Sequence, residues 1–450
     1  MRLENFTLRY EGEHVQRNQS RRAEPPYDRT PLSGTLVVDF KNNRFSHEAA
    51  NTYPGGFDNR SRFSVTGTSG VRLNLLDKRA TPAANVPAAA TRARLRWLPH
   101  HLVLGALDRA SRLRSLGTAD FDGRPHHVVT YPNEDSLQLT LYLDARTHLV
   151  SKFEWMGTDA YSGDAVFETV FPAHRAAGRF QVPTSRVVKL NGEVIEEERY
   201  TEVAFNQTLA EDLFKTPEGF APNNAQPNPP LTKLADDAYV FYGNSGYNVM
   251  LVGFKDYVVV VEAPGDDRAS REVMAKAKEL FPGKPVRYVA VTHHHDDHAG
   301  GARAYMAEGV TLVTTPGNRR YFEQMARARF TIEADAPVVR PGGPALEFVA
   351  RGGKRVFTDG ARTLELHDIG PGPHTEEMLV AYLPQERVMF QGDLLNFSAG
   401  YVRPGNATTA HFADWLKKSG LAVEKFVPVH GPVHTMADFQ QSLALIKGGN

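Results

Sequence analysis

A proline-rich stretch near the middle of the chain restricts the fold more than any other sequence feature. Between Ala221 and Lys233, four prolines lie among small and polar residues. Because proline lacks a backbone N–H and fixes φ, such a stretch favours extended, solvated chain. The sequence therefore predicts a linker at residues 221–235 between two domains, residues 1–220 and residues 236–450. At about 150 residues per domain, each half is long enough to bury its own core.

The composition restricts the chemistry and the partners. The chain has 52 basic and 52 acidic side chains and a formal net charge of zero, which argues against a nucleic-acid partner. It has no cysteine, so any metal must be held by nitrogen and oxygen. No run of residues approaches the length of a membrane-spanning helix, and the amino terminus lacks the apolar region of a secretory signal. We expect no integral membrane segment. The compartment is unknown: a periplasmic or cell-envelope location if a leader was removed, and a cytoplasmic one otherwise.

The N-terminal half has the pattern of a mainly β domain. β-branched and aromatic residues between turn signals predict strands at residues 36–40, 127–131, 137–143, 180–183 and 184–190. The dipeptide Asn191-Gly192 predicts a hairpin turn. Leucines at helical spacing between Thr91 and Leu116 predict helix, which Pro99 should either kink or split into two. We expect a curved antiparallel sheet with a helix or two against it.

The C-terminal half alternates between strand and helix patterns. The predicted elements are strands at 238–242, 248–254 and 257–262, a helix at 268–280, a strand at 286–291, a helix at 300–307 and a strand at 310–314. Strands that alternate with helices in this way indicate layered α/β packing.

A cluster of metal-binding side chains follows the predicted strand at 286–291. Residues 293–298 comprise four histidines and two aspartates. Neutral imidazole and carboxylate oxygen suit zinc and related divalent ions. On extended chain His293 and His295 point to the same side, whereas Asp297 and His298 follow on a turn and can face a second ion. Two ions need more ligands than this segment supplies. The candidates farther along lie at strand ends or in Gly/Pro turns: His374, Asp393 and His430.

The histidine-rich segment at residues 293–298 and the segments around His374, Asp393 and His430 follow one another in this order between Asp236 and Asn450. Together they resemble the metallo-β-lactamase superfamily. The resemblance implies a four-layer αβ/βα sandwich with the metal site at the sheet edges. It also implies two Zn²⁺ ions per chain, or other divalent metals in their place. The implied ligands are His293, His295 and His374 for the first ion, Asp297, His298 and His430 for the second, and Asp393 as the bridge between them.

The same resemblance implies a dinuclear zinc hydrolase that acts on a small-molecule substrate. A hydroxide between two zinc ions is a nucleophile at neutral pH, because metal binding lowers the pKa of water towards about 7. Asp297 would be both a ligand and the residue that orients the hydroxide. Asn396, three residues after Asp393, is a candidate donor to the developing oxyanion. Since Asp393 stands where the best-known β-lactamases carry cysteine or serine, an ester, lactone, thioester or related bond is the expected target.

Three other functions stay open on the sequence. The chain could be an iron-dependent sulfur-oxidising member of the superfamily, a β-lactamase, or a non-catalytic envelope protein that binds lipid or a partner. The N-terminal half resembles bacterial lipoprotein-sorting-type domains in the segments 142–147 and 206–217, which would give it a curved sheet and a possible role in homo-oligomer formation. Glu262, just after a predicted strand, either supports the metal site or simply begins a loop.

Overall fold

The computed structural model describes residues 3–83, 98–223, 228–335, 343–395, 397 and 400–446. The strands of the N-terminal half are β1 (Asn5–Val15), β2 (Arg29–Asp39), β3 (Arg44–Tyr53), β4 (Phe57–Thr66), β5 (Ser69–Asn74), β6 (Arg79–Pro82), β7 (Arg114–Phe121), β8 (Arg124–Pro132), β9 (Gln138–Asp144), β10 (Val150–Asp159), β11 (Gly163–Val170), β12 (His174–Ala177), β13 (Phe180–Pro183), β14 (Ser185–Leu190), β15 (Glu193–Phe205) and β16 (Ala221–Pro222). Its helix is α1 (Pro99–Asp108), and short 3-10 turns lie at Ala110–Arg112 and Glu211–Phe214.

One large sheet dominates the N-terminal half, as the sequence predicts. Fourteen strands pair in the order β16-β6-β5-β4-β3-β2-β1-β15-β14-β11-β10-β9-β8-β7, and every pairing except β16 with β6 is antiparallel. The hairpin β14–β15 turns at Asn191 and Gly192, both with positive φ, which matches the predicted Asn-Gly turn. Helix α1 packs Leu102 and Ala106 against Phe153 and its apolar neighbours on the sheet.

The helix prediction between Thr91 and Leu116 is wrong at its carboxyl end. Residues 91–97 lie outside the described part of the chain. Helix α1 begins at Pro99, where the missing N–H of proline costs no hydrogen bond, and ends at Asp108. Leu116 lies in strand β7 instead, where pairing with β8 overrides the local leucine spacing.

The strands of the C-terminal half are β17 (Leu231–Ala235), β18 (Ala238–Tyr242), β19 (Asn248–Gly253), β20 (Val258–Val261), β21 (Val286–Ala290), β22 (Thr311–Thr314), β23 (Leu346–Phe348), β24 (Lys354–Thr358), β25 (Thr363–Asp368), β26 (Leu379–Leu383), β27 (Val388–Gln391), β28 (Lys425–Pro428) and β29 (His434–Thr435). The helices are α2 (Asp267–Leu280), α3 (Asp296–Ala299), α4 (Ala302–Ala307), α5 (Arg319–Arg327), α6 (Ala407–Ser419) and α7 (Met436–Ala444), with a 3-10 turn at Pro316–Asn318.

These elements form four layers, which confirms the predicted αβ/βα sandwich. Strands β17 to β23 make a seven-stranded sheet and β24 to β29 a six-stranded one. Their inner faces share one apolar core, in which Val252 and Val259 meet Leu366 and Phe390. The outer face of the first sheet packs on α2, α4 and α5, and that of the second sheet packs on α6 and α7. Burial of apolar residues on both faces explains why the central strands read as continuous apolar runs.

The segment predicted to be a linker contains regular structure at its carboxyl end. Residues 224–227 lie outside the described part, but Leu231–Ala235 pairs with β18 as the edge strand of the seven-stranded sheet. Proline is tolerated just before an edge strand because no ladder hydrogen bond is lost there. No helix in the described part of the chain is long and apolar enough to cross a lipid bilayer.

The two halves contact each other at several places beyond this connection. Backbone from the β10–β11 turn pairs with the segment after α5, at Gly163 and Arg329. Nearby, the Tyr161 ring stacks on that of Tyr321 with 4.6 Å between centroids. On another side, Asp77 accepts a hydrogen bond from the Tyr401 hydroxyl at 2.7 Å. The N-terminal sheet is therefore held against the edge of the sandwich at which the candidate site lies.

Candidate metal centre

The topology of the two inner sheets brings the scattered metal-binding residues to one edge. Strands β20 and β21 are parallel, so the residues that follow Val261 and Ala290 emerge together. Strands β27 and β28 are also parallel, which places Asp393 and His430 side by side at their carboxyl ends. Strand β26 runs antiparallel to β27 and therefore begins at that same edge, just after the turn that carries His374. A backbone hydrogen bond of 2.8 Å from Leu379 N to Thr292 O joins the two sheets there.

The structure arranges the seven predicted ligand residues in two overlapping groups. In each group one ligand atom per residue lies within 4.8 Å of all the others. The first group is His293, His295, His374 and Asp393, and the second is Asp297, His298, Asp393 and His430. Asp393 alone belongs to both. Its Oδ2 lies 3.2 Å from His374 Nε2, and its Oδ1 lies 3.2 Å from His430 Nε2. The sequence resemblance implies the same two sets, and their role as metal ligands stays a prediction.

The first group is the more buried of the two and is made mostly of imidazoles, although His374 also lines the cavity described below. His293, His295 and His374 are buried, and the Nε2 atoms of His293 and His374 lie 3.3 Å apart. Burial, reinforced by the neighbouring histidines, lowers the pKa of His293 and His295 well below the ordinary value. The rings of His293 and His295 are therefore neutral, with lone pairs available for a cation.

The second group contains carboxylates and is more open. Asp297 Oδ2 lies 3.1 Å from His430 Nε2, and the His430 side chain is 36% exposed. Burial favours the neutral form of the His430 ring. The negative charge of Asp393, together with the hydrogen bonds that His430 makes with Asp297 and Asp393, outweighs this effect and raises the pKa of His430 to about 9. The pKa of His298 is likewise raised, against the effect of burial, by Asp393 and Asp297. Protons on these two rings balance the carboxylates, and a divalent cation would take the place of those protons.

Glu262 supports the second group from behind. It is fully buried, and its Oε1 lies 3.3 Å from His298 Nδ1, which leaves His298 Nε2 to face Asp393 at 3.3 Å. The same carboxylate accepts a hydrogen bond from the Thr292 hydroxyl. Its backbone φ is +86°, an unfavourable conformation for a residue with a side chain. Of the two roles that the sequence left open for Glu262, the contacts favour support of the site.

The donor set fits a divalent cation. His295 Nδ1 is fully buried and has no hydrogen-bond partner, while its Nε2 is hydrogen-bonded to a backbone carbonyl. A buried acceptor without a donor is costly, and an ion satisfies it. Nitrogen and carboxylate oxygen atoms in two groups of four are the ligands that zinc and related ions take.

A cavity of about 1160 Å³ opens onto the second group and continues along the N-terminal sheet. Its walls include Asp297, Asp393 and His430 from the sandwich. The Tyr247 ring also lines the cavity and lies edge-on to His430 with 5.1 Å between centroids. Asn248 is buried instead, and its amide donates hydrogen bonds to the carbonyls of Pro428 and Gly431 on either side of His430.

Residues of the N-terminal half also reach the centre, which the sequence reasoning missed. Gln19 and Ser20, in the loop between β1 and β2, contact Asp297 and His295. Pro54, in the turn between β3 and β4, contacts His374. These residues belong to no recognisable motif and lie hundreds of positions from the ligands, so no local signal could have found them. The candidate oxyanion donor Asn396 lies outside the described residues.

A family model for the metallo-beta-lactamase superfamily matches residues 242–430. Among solved structures, a metallo-β-lactamase from Pontibacter korlensis is 22% identical over 48% of this chain and 97% of its own, with a TM-score of 0.36. A metallo-β-lactamase from Erythrobacter litoralis is 20% identical over 48% of this chain and 94% of its own, with a TM-score of 0.34. One from Pseudomonas aeruginosa, solved in a mono-zinc form, is 19% identical over 49% and 96%, with a TM-score of 0.34.

Proposed function

The C-terminal half of this chain is a metal-dependent hydrolase domain of the metallo-β-lactamase superfamily, and on that basis we propose that the protein is a dinuclear zinc hydrolase of a small molecule. The observation that carries the proposal is the position of Asp393, which faces the histidines of both ligand groups at 3.2 Å. A single ion would need only one of the two groups. A carboxylate shared between two complete groups supports a count of two ions.

Two bound divalent ions would supply a water molecule of lowered pKa and positive charge for a developing oxyanion. The chain's own residues determine where this chemistry takes place. Asp297 presents Oδ2 to the second group while its Oδ1 is held by a hydrogen bond, so the carboxylate is fixed in orientation. Such preorganised groups need little rearrangement during the reaction, which lowers the barrier. We propose Asp297 and Asn396 as the catalytic residues beside the ions.

The size of the cavity favours a substrate with a large part that does not take part in the reaction. Its volume of about 1160 Å³ exceeds that of most pockets for small ligands, about 300–1,000 Å³. Tyr247 forms a wall beside His430 at the end where the ions would lie, and polar residues of the N-terminal sheet line the far end. We propose an ester, lactone, thioester or related bond as the target. The non-reacting part of the substrate would lie along the sheet.

The remaining parts of the proposal concern organisation. We propose two domains, residues 1–220 and 236–450, with the strand Leu231–Ala235 joined to the second. A lipoprotein-sorting-like character of the first domain, homo-oligomer formation through it, an absence of nucleic-acid partners and a bacterial cell-envelope location stay predictions. Size-exclusion chromatography with light scattering would test the oligomer.

The decisive experiment measures metal content and turnover in the same preparations. Wild type should retain two zinc ions per chain and hydrolyse at least one member of a panel of esters, lactones and thioesters. His295→Ala should lose this activity, whereas His127→Ala, which removes an exposed histidine of the N-terminal sheet, should keep it.

Each alternative function has its own outcome in that experiment. One iron per chain with oxidation of sulfur compounds would indicate a sulfur-oxidising enzyme. Turnover of β-lactams alone would indicate a β-lactamase. Equal, background-level turnover of every substrate by wild type and His295→Ala would overturn the catalytic proposal.

A further inference from the structure

The loop between β1 and β2, residues 16–28, crosses from the N-terminal half to the metal centre. In it, Gln19 Nε2 donates two hydrogen bonds, to Asp297 Oδ1 at 2.8 Å and to Asp296 Oδ1 at 2.7 Å. A primary amide has two N–H groups on that nitrogen, so both are used. The other oxygen of Asp297, Oδ2, is thereby left to face His430 at 3.1 Å. Gln19 thus determines which oxygen of this ligand residue points into the second group.

Two backbone carbonyls of the N-terminal half act in the same way on the first group. His295 Nε2 lies 2.9 Å from Ser20 O, and His374 Nδ1 lies 3.1 Å from Pro54 O. A carbonyl oxygen can only accept a hydrogen bond, so each of these ring nitrogens must carry the proton. The opposite nitrogens are then left as acceptors: His295 Nδ1 has no hydrogen-bond partner, and His374 Nε2 faces His293 Nε2 at 3.3 Å. Hydrogen bonds of this kind fix the tautomer and orientation of metal-binding histidines.

Further contacts hold the loop in place beside His374. Arg21 O accepts hydrogen bonds from Glu376 N at 2.8 Å and from the Thr375 hydroxyl at 3.2 Å. The ion pair between Arg22 and Glu376, at 3.1 Å, is exposed to solvent and adds little to this attachment. The backbone contacts lie one and two residues after a ligand position, so the loop cannot move without affecting the centre.

We propose that the N-terminal half is a structural part of the metal centre, with Gln19 as the positioning residue of Asp297 and the Ser20 and Pro54 carbonyls as positioning groups of His295 and His374. The inference rests on the two metal ions of the proposed function and does not depend on the identity of the substrate. It predicts that metal affinity depends on residues hundreds of positions away from the ligand motif.

Gln19 variants test the proposal on the second group. Gln19→Ala should weaken binding of one of the two zinc ions by about 10–100-fold, the usual cost of losing a group that orients a metal ligand. Gln19→Glu should weaken it further, because it places a third carboxylate against Asp296 and Asp297. Arg22→Ala is the matched control: it removes an exposed ion pair of the same loop and should leave both affinities unchanged.

The measurements are zinc titration by calorimetry, the absorption spectrum of the Co²⁺-loaded protein, and thermal unfolding with and without metal. For Gln19→Ala we expect a smaller stabilisation by zinc and an altered Co²⁺ spectrum, with little change in the metal-free unfolding temperature. Wild-type zinc affinities and spectrum in Gln19→Ala would overturn the proposal. So would a weakening that Arg22→Ala reproduces.

A pair of neighbouring glycines tests the contact with the first group. Gly55 and Gly56 both have positive φ, +92° and +84°, so alanine strains the backbone similarly at either position. A Cβ on Gly55 would lie 2.6 Å from Thr408 Oγ1 and 2.9 Å from His374 Cα, whereas one on Gly56 would meet nothing nearer than 3.6 Å. Gly55→Ala should therefore weaken zinc binding by at least about 10-fold and Gly56→Ala by less than about 2-fold. Equal affinities in the two variants would contradict the role of this turn.

These tests separate the inference from the proposed function. If wild type binds two zinc ions but hydrolyses nothing, the hydrolase proposal fails and the positioning roles are still measured by affinity. If wild type is an active enzyme and Gln19→Ala binds zinc equally well, the inference fails alone. If wild type binds no zinc, cobalt or other divalent ion, both fail.

Discussion

The two ligand groups share Asp393 but differ in charge and in access. In the first, three imidazoles are buried beneath the N-terminal half, burial lowers the pKa of His293 and His295, and Asp393 is the only carboxylate. In the second, Asp297 adds another carboxylate, the histidine pKa values are raised, and His430 borders the cavity. The comparison indicates a division of labour. The more buried first group would hold an ion firmly in place, whereas the second group, with the partly exposed His430, has the more accessible side from which a substrate can approach.

The residues that orient the ligands follow the same division. For the first group, two of the three histidines are oriented by backbone carbonyls of the N-terminal half. For the second group, orientation comes from two side chains, Glu262 behind His298 and Gln19 beside Asp297. Substitution can remove a side chain but not a backbone carbonyl, so the second group is the easier one to perturb selectively.

Loss of the shared ligand should have the largest effect. Asp393→Ala removes the charge that both groups use, so we expect loss of both ions and a decrease in kcat/KM of at least about 1,000-fold, or about 4 kcal/mol of transition-state stabilisation. Metal analysis and circular dichroism on the same sample check it. A folded variant that keeps two ions would contradict the shared role.

Loss of one ligand from each group should separate the two ions. His295→Ala leaves the second group complete and His430→Ala leaves the first complete, so each variant should retain about one ion per chain. Native mass spectrometry gives the counts, with His127→Ala as the control. Because His430 borders the cavity, we expect KM to change in His430→Ala when excess zinc is supplied. Loss of both ions in either variant would show that the groups bind cooperatively.

Neutralising Glu262 should have a smaller and one-sided effect. Glu262→Gln keeps a similar shape beside His298 but removes the buried negative charge. We expect weaker binding of the second ion by about 10–100-fold and an unchanged first ion, since Glu262 contacts no histidine of the first group other than through Thr292. Competition titration with a zinc chelator measures the two affinities. Equal weakening of both ions would contradict the one-sided role.

The smallest expected effect concerns His434, a histidine outside both groups. Its substitution should change the pH dependence of stability and leave the metal centre unchanged. Burial lowers the pKa of His434 to about 4, below the value of about 6.5 expected when unfolded. The folded state thus favours the neutral ring, and this contribution is complete above about pH 6.5 and is lost as the pH falls towards 4. The substitution His434→Gln should reduce the slope of the unfolding free energy against pH in that window by up to about 1.4 kcal/mol per pH unit.

Denaturant unfolding between pH 4 and 7 measures that slope, and metal content at pH 7 is its control. Two ions should remain bound to His434→Gln at neutral pH, because His434 lies in neither ligand group. Identical slopes in variant and wild type would assign the acid sensitivity to other groups.

The ligand residues were predictable because their signals are local. His293, His295 and His298 lie within one turn after an apolar strand, and the other ligands end strands or occupy Gly/Pro turns. The N-terminal half was harder to predict. Strands such as β3 and β4 carry many polar residues and gave no strand signal. Each buries few apolar side chains, such as Phe45 and Val65, and pairs with its neighbour along its whole length. The leucine spacing similarly extended the predicted helix to Leu116, into a segment where sheet pairing prevails.

The sequence alone determined the ligand types, their order and the layered architecture around them, because these depend on side-chain chemistry and on patterns repeated over a few residues. Only the tertiary structure decided that Glu262 supports His298. It also decided that Gln19, Ser20 and Pro54 from the other half orient the ligands. A hydrogen bond depends on a distance near 3 Å between two atoms, and for residues hundreds of positions apart that distance depends on the packing of the whole chain.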